Sequence, residues 1–242
     1  MAVSGTAGDR PGPRVVRVAR AADLPGALKT LGIGMPRPVL VLVGGADGMT
    51  EDHLAAVTEA MEQIVPALDR WGAAVVDGGT DSGVIQVMGR ARYAADGRFP
   101  LIGVAAEGTV TLAGMPAASD MAGLEPHHTQ ALLVPGDTWG DESPWLSGVA
   151  AIIADGRPSL TLVVNGGEIT YDDIEHSLRT GRPVIVLAGT GRAADMIAAA
   201  ARGHPGEPRA VQVAASADVR VIPLNDQDAL CSAIGSVLAA AG

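Results

Sequence analysis

Four glycine-rich segments of this sequence contain the residue types that bind phosphate groups. Each follows a short apolar run and precedes a stretch with helical periodicity. Glycine lets the backbone approach a ligand closely, and the unpaired N–H groups and positive dipole end of a helix N-terminus favour an anion. The candidate ligand-binding residues in these segments are Gly44, Gly45, Gly78, Gly79, Thr80, Ser82, Gly83, Gly166, Gly167, Gly189, Thr190, Gly191 and Arg192. A side chain at Gly79 or Gly83 is expected to enter the space that a phosphate must approach.

The spacing of these glycines differs from the common nucleotide-binding motifs. Gly44 and Gly45 do not begin a GxGxxG segment, and GxxxxGK[ST] does not occur in the sequence. A Walker-type ATPase or an ordinary NAD-dependent dehydrogenase is therefore not expected. Any one of the four segments is also explained as a simple turn between a strand and a helix. Four of them at one edge of a sheet favour a binding site instead.

Arg192 is the side chain in these segments best suited to hold a phosphate. It falls in the first turn of a predicted helix, where the helix dipole disfavours a cation. A bound phosphate would offset this, because a guanidinium can bind it with two hydrogen bonds. Alternatively, Arg192 is simply exposed to solvent or forms an ion pair with Asp195. Trp139 and Trp145 are candidates to stack on a base in a chain with 2% aromatic residues, although Trp145 also fits a helix core.

Short apolar runs alternate with longer helical segments, a pattern typical of βαβ units. We predict strands over residues 39–43, 73–76, 101–105, 129–134, 160–164, 183–187 and 219–223, and helices over residues 51–70, 82–95, 145–154, 171–179, 192–202 and 226–241. We predict that residues 107–126 form an irregular segment. The fold class is α/β, with a doubly wound, mainly parallel sheet of six to seven strands and helices on both faces. All four glycine segments then lie at the carboxyl edge of the sheet, where such sheets bind ligands.

Composition argues against several classes of partner. The net charge is −10, and Lys29 is the only lysine. Proteins that bind nucleic acid carry a basic patch or stripe, so neither nucleic acid nor an anionic membrane is an expected partner. No apolar run reaches the roughly 18–20 residues of a membrane span. We expect a flexible tail over residues 1–14, a single domain over residues 15–242 and a cytoplasmic location.

Four motifs resemble those of the SLOG superfamily, in the branch found at the N-terminus of TRPM channels and in free-standing bacterial proteins. Residues 78–84 (GGTDSGV) resemble its GGT-x-[ST]-G-V segment, residues 124–129 (LEPHHT) its L-[DE]-x-x-H-[ST] element, and residues 189–195 (GTGRAAD) its G-[ST]-G-R-[AG]-[AS]-D turn. Gly166 and Gly167 match its V-x-G-G strand end. The resemblance covers roughly residues 38–202. It implies a Rossmann-like fold, His128 as a ligand contact, and a nucleotide-derived ligand such as ADP-ribose or cyclic ADP-ribose, with no cofactor required.

A more distant resemblance is to the LOG proteins, often called lysine decarboxylase-like, which cleave the N-glycosidic bond of nucleoside monophosphates. Their PGGxGTxxE signature resembles residues 135–142 (PGDTWGDE). The match implies Gly136 and Asp137 as ligand contacts and Glu142 as a candidate catalytic residue. The second glycine and the GT pair are missing, and residues 108–130 contain no arginine to replace the one these enzymes use. Efficient hydrolysis is therefore not expected.

Three functions remain open at this point. The first is a module that binds or senses an ADP-ribose-type nucleotide derivative. The second is a nucleotide N-glycosidase, and the third is an oligomerisation module whose cleft is vestigial. A sensor would act through a homo-oligomer or a separate effector protein. No metal site is predicted, because adjacent residues such as His127 and His128 point in different directions.

Overall fold

The main sheet of the protein is parallel and carries helices on both of its faces. The computed structural model describes residues 12–45, 48–112 and 121–239. The strands are β1 (Arg14–Arg17), β2 (Val39–Gly44), β3 (Ala74–Asp77), β4 (Leu101–Ala106), β5 (Val110–Thr111), β6 (Ala122–Gly123), β7 (Gln130–Val134), β8 (Ser159–Val164), β9 (Val184–Ala188) and β10 (Val219–Pro223). The helices are α1 (Leu24–Thr30), α2 (Glu51–Trp71), α3 (Gly83–Ala94), α4 (Ser143–Ala154), α5 (Glu168–Arg179), α6 (Arg192–Ala201), α7 (Pro208–Ala214) and α8 (Gln227–Leu238). This architecture confirms the predicted α/β class.

The order of the strands places the four glycine segments side by side. Within the described residues the main sheet has the order β1-β7-β4-β3-β2-β8-β9-β10, and all neighbouring strands are parallel. The glycine segments follow β3, β2, β8 and β9, which are consecutive in this order. From β2 the chain builds one half of the sheet through β3, and it builds the other half from β8. The topological switch point, where such sheets bind ligands, therefore lies between β2 and β8.

The apolar run of β2 contributes to both layers of the core. Val39, Val41 and Val43 pack with α1, α4 and α5, while Leu40 and Leu42 pack on the opposite face with α2, α3 and α8. Alternate side chains of a strand point to opposite faces, so a continuous apolar run is typical of a strand that is buried on both sides. This burial fixes the position of the glycine segment that follows β2.

Outside residues 107–126, the sequence prediction lacks three elements of the structure, namely β1, α1 and α7. β1 is only four residues long, and its pairing with β7 decides its conformation. The N–H of Arg14 donates to the carbonyl of Thr129 at 3.1 Å, so the predicted tail over residues 1–14 is wrong at this residue. With β1 the sheet has eight strands rather than six to seven. α1 and α7 have seven residues each, which is about two turns at 3.6 residues per turn and too short for a helical period to stand out in the sequence.

The segment over residues 107–126 contains only short regular elements in its described part. β5 and β6 pair with each other over two residues, and residues 113–120 lie outside the described residues. The prediction of one domain over residues 15–242 extends beyond the described ranges and stays a prediction. Nowhere in those ranges is there a helix that is both long and apolar enough to cross a lipid bilayer.

Candidate ligand-binding site

A cavity of about 500 Å³ lies at the carboxyl edge of the sheet, at the switch point between β2 and β8. The end of β2, the turn after β3 and the N-terminal ends of α3, α4, α5 and α6 bound it. The residues predicted from the sequence that line it are Gly44, Gly45, Gly78, Thr80, Ser82, Gly83, Trp139, Glu142, Gly167 and Arg192. It is also lined by Leu42, Val43, Ile85, Ala105, Thr109, Leu146, Glu168, Ile169, Thr170 and Asp173. The fold therefore brings the glycine segments to one cavity.

The N-termini of α3 and α5 present backbone donors at this cavity. Within the described residues, the first N–H of α3 to make a hydrogen bond is that of Gln86, which donates to Ser82 O at 3.2 Å. In α5 the N–H of Thr170 donates to Gly167 O at 3.1 Å, and the two N–H groups before it have no acceptor in the described parts of the chain. The first-turn N–H groups of both helices can therefore bind an acceptor from a ligand, and both helix dipoles favour a negative one.

The N-terminus of α6 differs, because its backbone donors are already used. The N–H groups of Ala193 and Ala194 each donate at 3.1 Å, to Gly166 O and Asn165 O respectively. α6 is therefore tied to the end of β8 and contributes to the cavity through a side chain. That side chain is Arg192, whose guanidinium lies over Gly167 in the turn after β8. A Cβ atom at Gly167 would be 2.9 Å from the Nη2 atom of Arg192.

A buried cluster of charged side chains lies behind the turn after β3. The Nε2 atom of His128 is 2.8 Å from Asp77 Oδ1, and its Nδ1 atom is 2.8 Å from Glu125 Oε2. Burial alone would lower the pKa of His128, but the carboxylates of Asp77 and Glu125 raise it to about 9. Asp77 Oδ1 also accepts the N–H of Gly79 at 2.8 Å. The cluster therefore joins the segment before β7 to the turn that lines the cavity.

Two carboxyl groups with raised pKa values line another part of the cavity. Burial raises the pKa of Glu142, and the negative charge of Asp141 adds to this rise. Hydrogen bonds from backbone N–H groups act in the opposite direction but are outweighed. Burial also raises the pKa of Asp173 to about 7. A hydrogen bond from Ser143 acts against this rise, and the charges of Glu142 and Asp172 add to it. One site thus combines helix N-termini, whose dipoles favour an anion, and an arginine with carboxyl groups that hold their protons more tightly than usual.

Comparison with known proteins identifies the family. A family model described as "SLOG in TRPM, prokaryote" matches residues 37–232. The chain belongs to this family. The "transient receptor potential cation channel subfamily M member 2" proteins of Mus musculus and Rattus norvegicus are each 24% identical to it over 203 residues. Each match covers 69% of this chain, which spans only 13% of the channel's length.

Two solved structures resemble this SLOG domain. The X-ray structure of TM1055, a structural genomics target, has a TM-score of 0.53 and 18% identity, and the match covers 83% of this chain and 99% of that one. The molybdenum cofactor carrier protein of Chlamydomonas reinhardtii has a TM-score of 0.52 and 19% identity, with 84% and 99% covered. At these identities the likeness shows the shared Rossmann-like fold.

Several predicted contacts of the SLOG domain lie outside the cavity lining. His128 is 3% exposed, and both of its ring nitrogens face carboxylates. The expectation for Gly79 is wrong, because a Cβ atom there would lie 2.9 Å from the Cα atom of Gly103 in β4 rather than in the space of a ligand. The other predicted residues outside the lining are Gly136, Asp137, Gly166, Gly189, Thr190 and Gly191. Thr190, for example, is fully buried, and its hydroxyl joins Asn165 N–H to Leu187 O at 2.7 Å each.

Sequence reasoning missed Asp173 and Glu168 among the charged residues of the cavity. Asp173 lies in an acidic stretch that resembles an ordinary exposed helix face, and its neighbour Asp172 is indeed exposed. The helical period holds a usable signal, however. Thr170 and Ser177 are buried on α5, and Asp173 lies three residues after the first and four before the second, on the same face.

Proposed function

We propose that this SLOG domain binds a phosphorylated nucleotide derivative of the ADP-ribose type in the cavity at the switch point. The observation that carries the proposal is the meeting of two helix N-termini, with N–H groups open to a ligand, and Arg192 in one cavity of about 500 Å³. Sites for small organic ligands have volumes of about 300–1,000 Å³. Backbone donors and helix dipoles act locally, so a net charge of −10 does not prevent anion binding here.

The arrangement of the cavity matches the parts of such a ligand. The first turns of α3 and α5, together with the guanidinium of Arg192, offer donors to phosphate oxygens. Trp139 lines the cavity and is 44% exposed, so its indole is accessible to stack on a base. The ADP-ribose class itself rests on the resemblance to the TRPM branch of the family. One protein of the same fold is described as a carrier of the molybdenum cofactor, which agrees with the use of this fold for binding.

Calorimetry with ADP-ribose and cyclic ADP-ribose tests the proposal. We expect saturable binding by the wild type, weakened in Arg192→Ala by about 1.5–3 kcal/mol, the range for a hydrogen bond to a charged group. Arg202→Ala is the matched control, because Arg202 caps the other end of the same helix and is exposed. It changes net charge equally, so it should bind as the wild type does. Equal binding by all three proteins would place the site elsewhere, and no nucleotide binding at all would favour a vestigial cleft.

A nucleotide N-glycosidase is the second candidate. Glu142 lines the cavity with a raised pKa, as a general acid requires, and Arg192 lies at the same cavity and could replace the missing arginine of the earlier loop. The altered PGDTWGDE segment still argues against efficient catalysis. Chromatography of AMP incubated with the protein distinguishes the two functions, since only the glycosidase releases free base.

A further inference from the structure

We propose that the cavity takes up its ligand together with one proton held on Asp173, so that this carboxyl group donates a hydrogen bond to an acceptor oxygen of the ligand. Asp173 would then be a specificity-determining residue that selects ligands with an acceptor, such as a phosphate or ribose oxygen, at this part of the cavity. The inference rests on the proposed function, because it concerns the same site.

The first basis for the proposal is the position of Asp173. Its helix, α5, packs beside α4 where Glu142 precedes the first turn of α4, and both carboxyl residues line the cavity together with Leu146 and Ile169. The next residue, Ser143, is 2% exposed, and its hydroxyl lies beside Asp173, where it counters part of the effect of burial on the pKa of that carboxyl group. Two carboxyl groups in a partly apolar environment do not both ionise readily, because each charge disfavours the other.

The second basis is the set of charges around Asp173 on the elements that pack against α5. The strands β2, β8 and β9 carry no titratable side chain. Glu142 immediately precedes α4, and α5 itself carries Glu168 at the cavity. α5 also carries Asp172, whose carboxylate is 2.5 Å from Arg209 of α7. Arg209 also lies 3.4 Å from Glu175, so it is shared among the outer carboxylates of α5. α6 contributes Arg192 at the cavity.

A negatively charged ligand strengthens the preference for a proton at this site. Before any ligand is considered, burial raises the pKa of Asp173 to about 7. The charges of Glu142 and Asp172 add to this rise, and a hydrogen bond from Ser143 acts against it. A phosphate in the same cavity adds negative charge, which disfavours the carboxylate further. A neutral carboxylic acid removes this repulsion and supplies a donor, which is how a protonated aspartic acid stabilises an oxyanion in ketosteroid isomerase.

The test is the pH dependence of ADP-ribose binding. ADP-ribose is a suitable probe because its diphosphate is esterified at both ends and lacks the ionisation near pH 6 of a phosphate monoester. With a pKa of about 7 in the free protein, the protonated fraction of Asp173 falls about thirtyfold from pH 6.0 to 8.5, and the apparent Kd should rise by this factor. Calorimetry at pH 8.5 in buffers of different ionisation enthalpy should show uptake of close to one proton.

Two variants separate this role from a general effect of charge. Asp173→Asn keeps a donor without a titration, so its affinity should be independent of pH and close to that of the wild type at pH 6.0. Asp172→Asn removes the same charge from the exposed neighbouring residue, so the pH dependence should persist. Its midpoint should move slightly to lower pH, because the charge of Asp172 helps to raise the pKa of Asp173. Carbon-13 NMR of the ligand-free protein adds a readout that needs no ligand, namely a carboxyl group that titrates near neutral pH and disappears in Asp173→Asn.

Each contrary outcome overturns a defined part of the reasoning. If the carboxyl signal that disappears in Asp173→Asn titrates below about pH 6, Asp173 does not hold the proton, and this conclusion does not depend on any ligand. If the wild type binds ADP-ribose with an affinity independent of pH, the proposed function stands and proton uptake is refuted. A pH dependence that persists in Asp173→Asn and is lost in Glu142→Gln would assign the proton to Glu142. Absence of binding at every pH refutes the proposed function and proton uptake together.

Discussion

The substitution His128→Ala is expected to destabilise the fold strongly although His128 lies outside the cavity lining. The imidazole is 3% exposed and lies 2.8 Å from a carboxylate oxygen of Asp77 and 2.8 Å from one of Glu125. Removing it leaves two buried carboxylates without their cation, and breaking a buried ion pair in this way costs about 3–5 kcal/mol. For a chain of 242 residues, this corresponds to a fall in Tm of about 6–20 °C.

His127→Ala is the matched control for this prediction. His127 is the adjacent residue and contacts the same Glu125, at 2.6 Å, but its side chain is 27% exposed. A partly solvated pair contributes about 1 kcal/mol or less, so the control should lower stability only slightly. Urea unfolding followed by circular dichroism measures both free energies of unfolding. If the two variants differ by less than about 1 kcal/mol, the cluster is not a buried charge network and the reasoning fails.

The pH dependence of stability gives a second measurement on the same cluster. The pKa of His128 is raised from its model-peptide value of 6.5 to about 9. Its stabilising effect is therefore fully present below pH 6.5 and is lost as the pH rises through 9. Burial would raise the pKa of Glu125, but the hydrogen bonds and charges of His128 and His127 lower it overall. The stabilising contribution of the Glu125 carboxylate is therefore lost in acid. The wild type should lose more stability than His128→Ala between pH 7 and 10.

Three further predictions concern the turn after β3 and the cavity. Gly79→Ala should cost about 1–3 kcal/mol more than Gly181→Ala in urea unfolding, because both glycines have a φ of 70° but only Gly79 would place its Cβ within 4 Å of other atoms. Similar losses would refute the clash with β4. AMP incubated with the protein should release no free base at an ordinary enzymatic rate, and release that Glu142→Gln abolishes would overturn this. Arg192→Ala should weaken ADP-ribose binding by about 1.5–3 kcal/mol while Arg202→Ala does not, as calorimetry measures.

The fold could be predicted because each long element carries its own signal. The apolar run of β2, for example, is buried on both faces, follows Pro38 and ends at Gly44, so its hydrophobic pattern and the residues at its ends both predict a buried strand. β1 lacks such a signal, since its two valines lie between arginines and it becomes a strand through its hydrogen bonds to β7. Tertiary pairing of this kind has no local trace in the sequence.

The sequence predicted which segments form the candidate site, but it predicted less well which individual groups in those segments face the cavity. The order of the strands makes the four segments neighbours, which a count of βαβ units already suggests. Whether an N–H group at the end of a segment is open depends on atoms far away in sequence. The N–H groups of Ala193 and Ala194 are taken by carbonyls of the turn after β8, more than twenty residues earlier. No pattern within the GTGRAAD segment indicates this.

The family motifs and the cavity lining overlap only in part, and the reason is structural. The Asp77 carboxylate accepts the N–H of Gly79 and binds His128, and Glu125 closes the cluster from the other side. These residues hold the turn after β3 from behind, while Thr80 and Ser82 of the same motif line the cavity in front. A motif residue can therefore be required for the shape of a site without contacting what binds there. A loss of binding in a His128 variant would consequently need a stability measurement before it could be taken as a lost ligand contact.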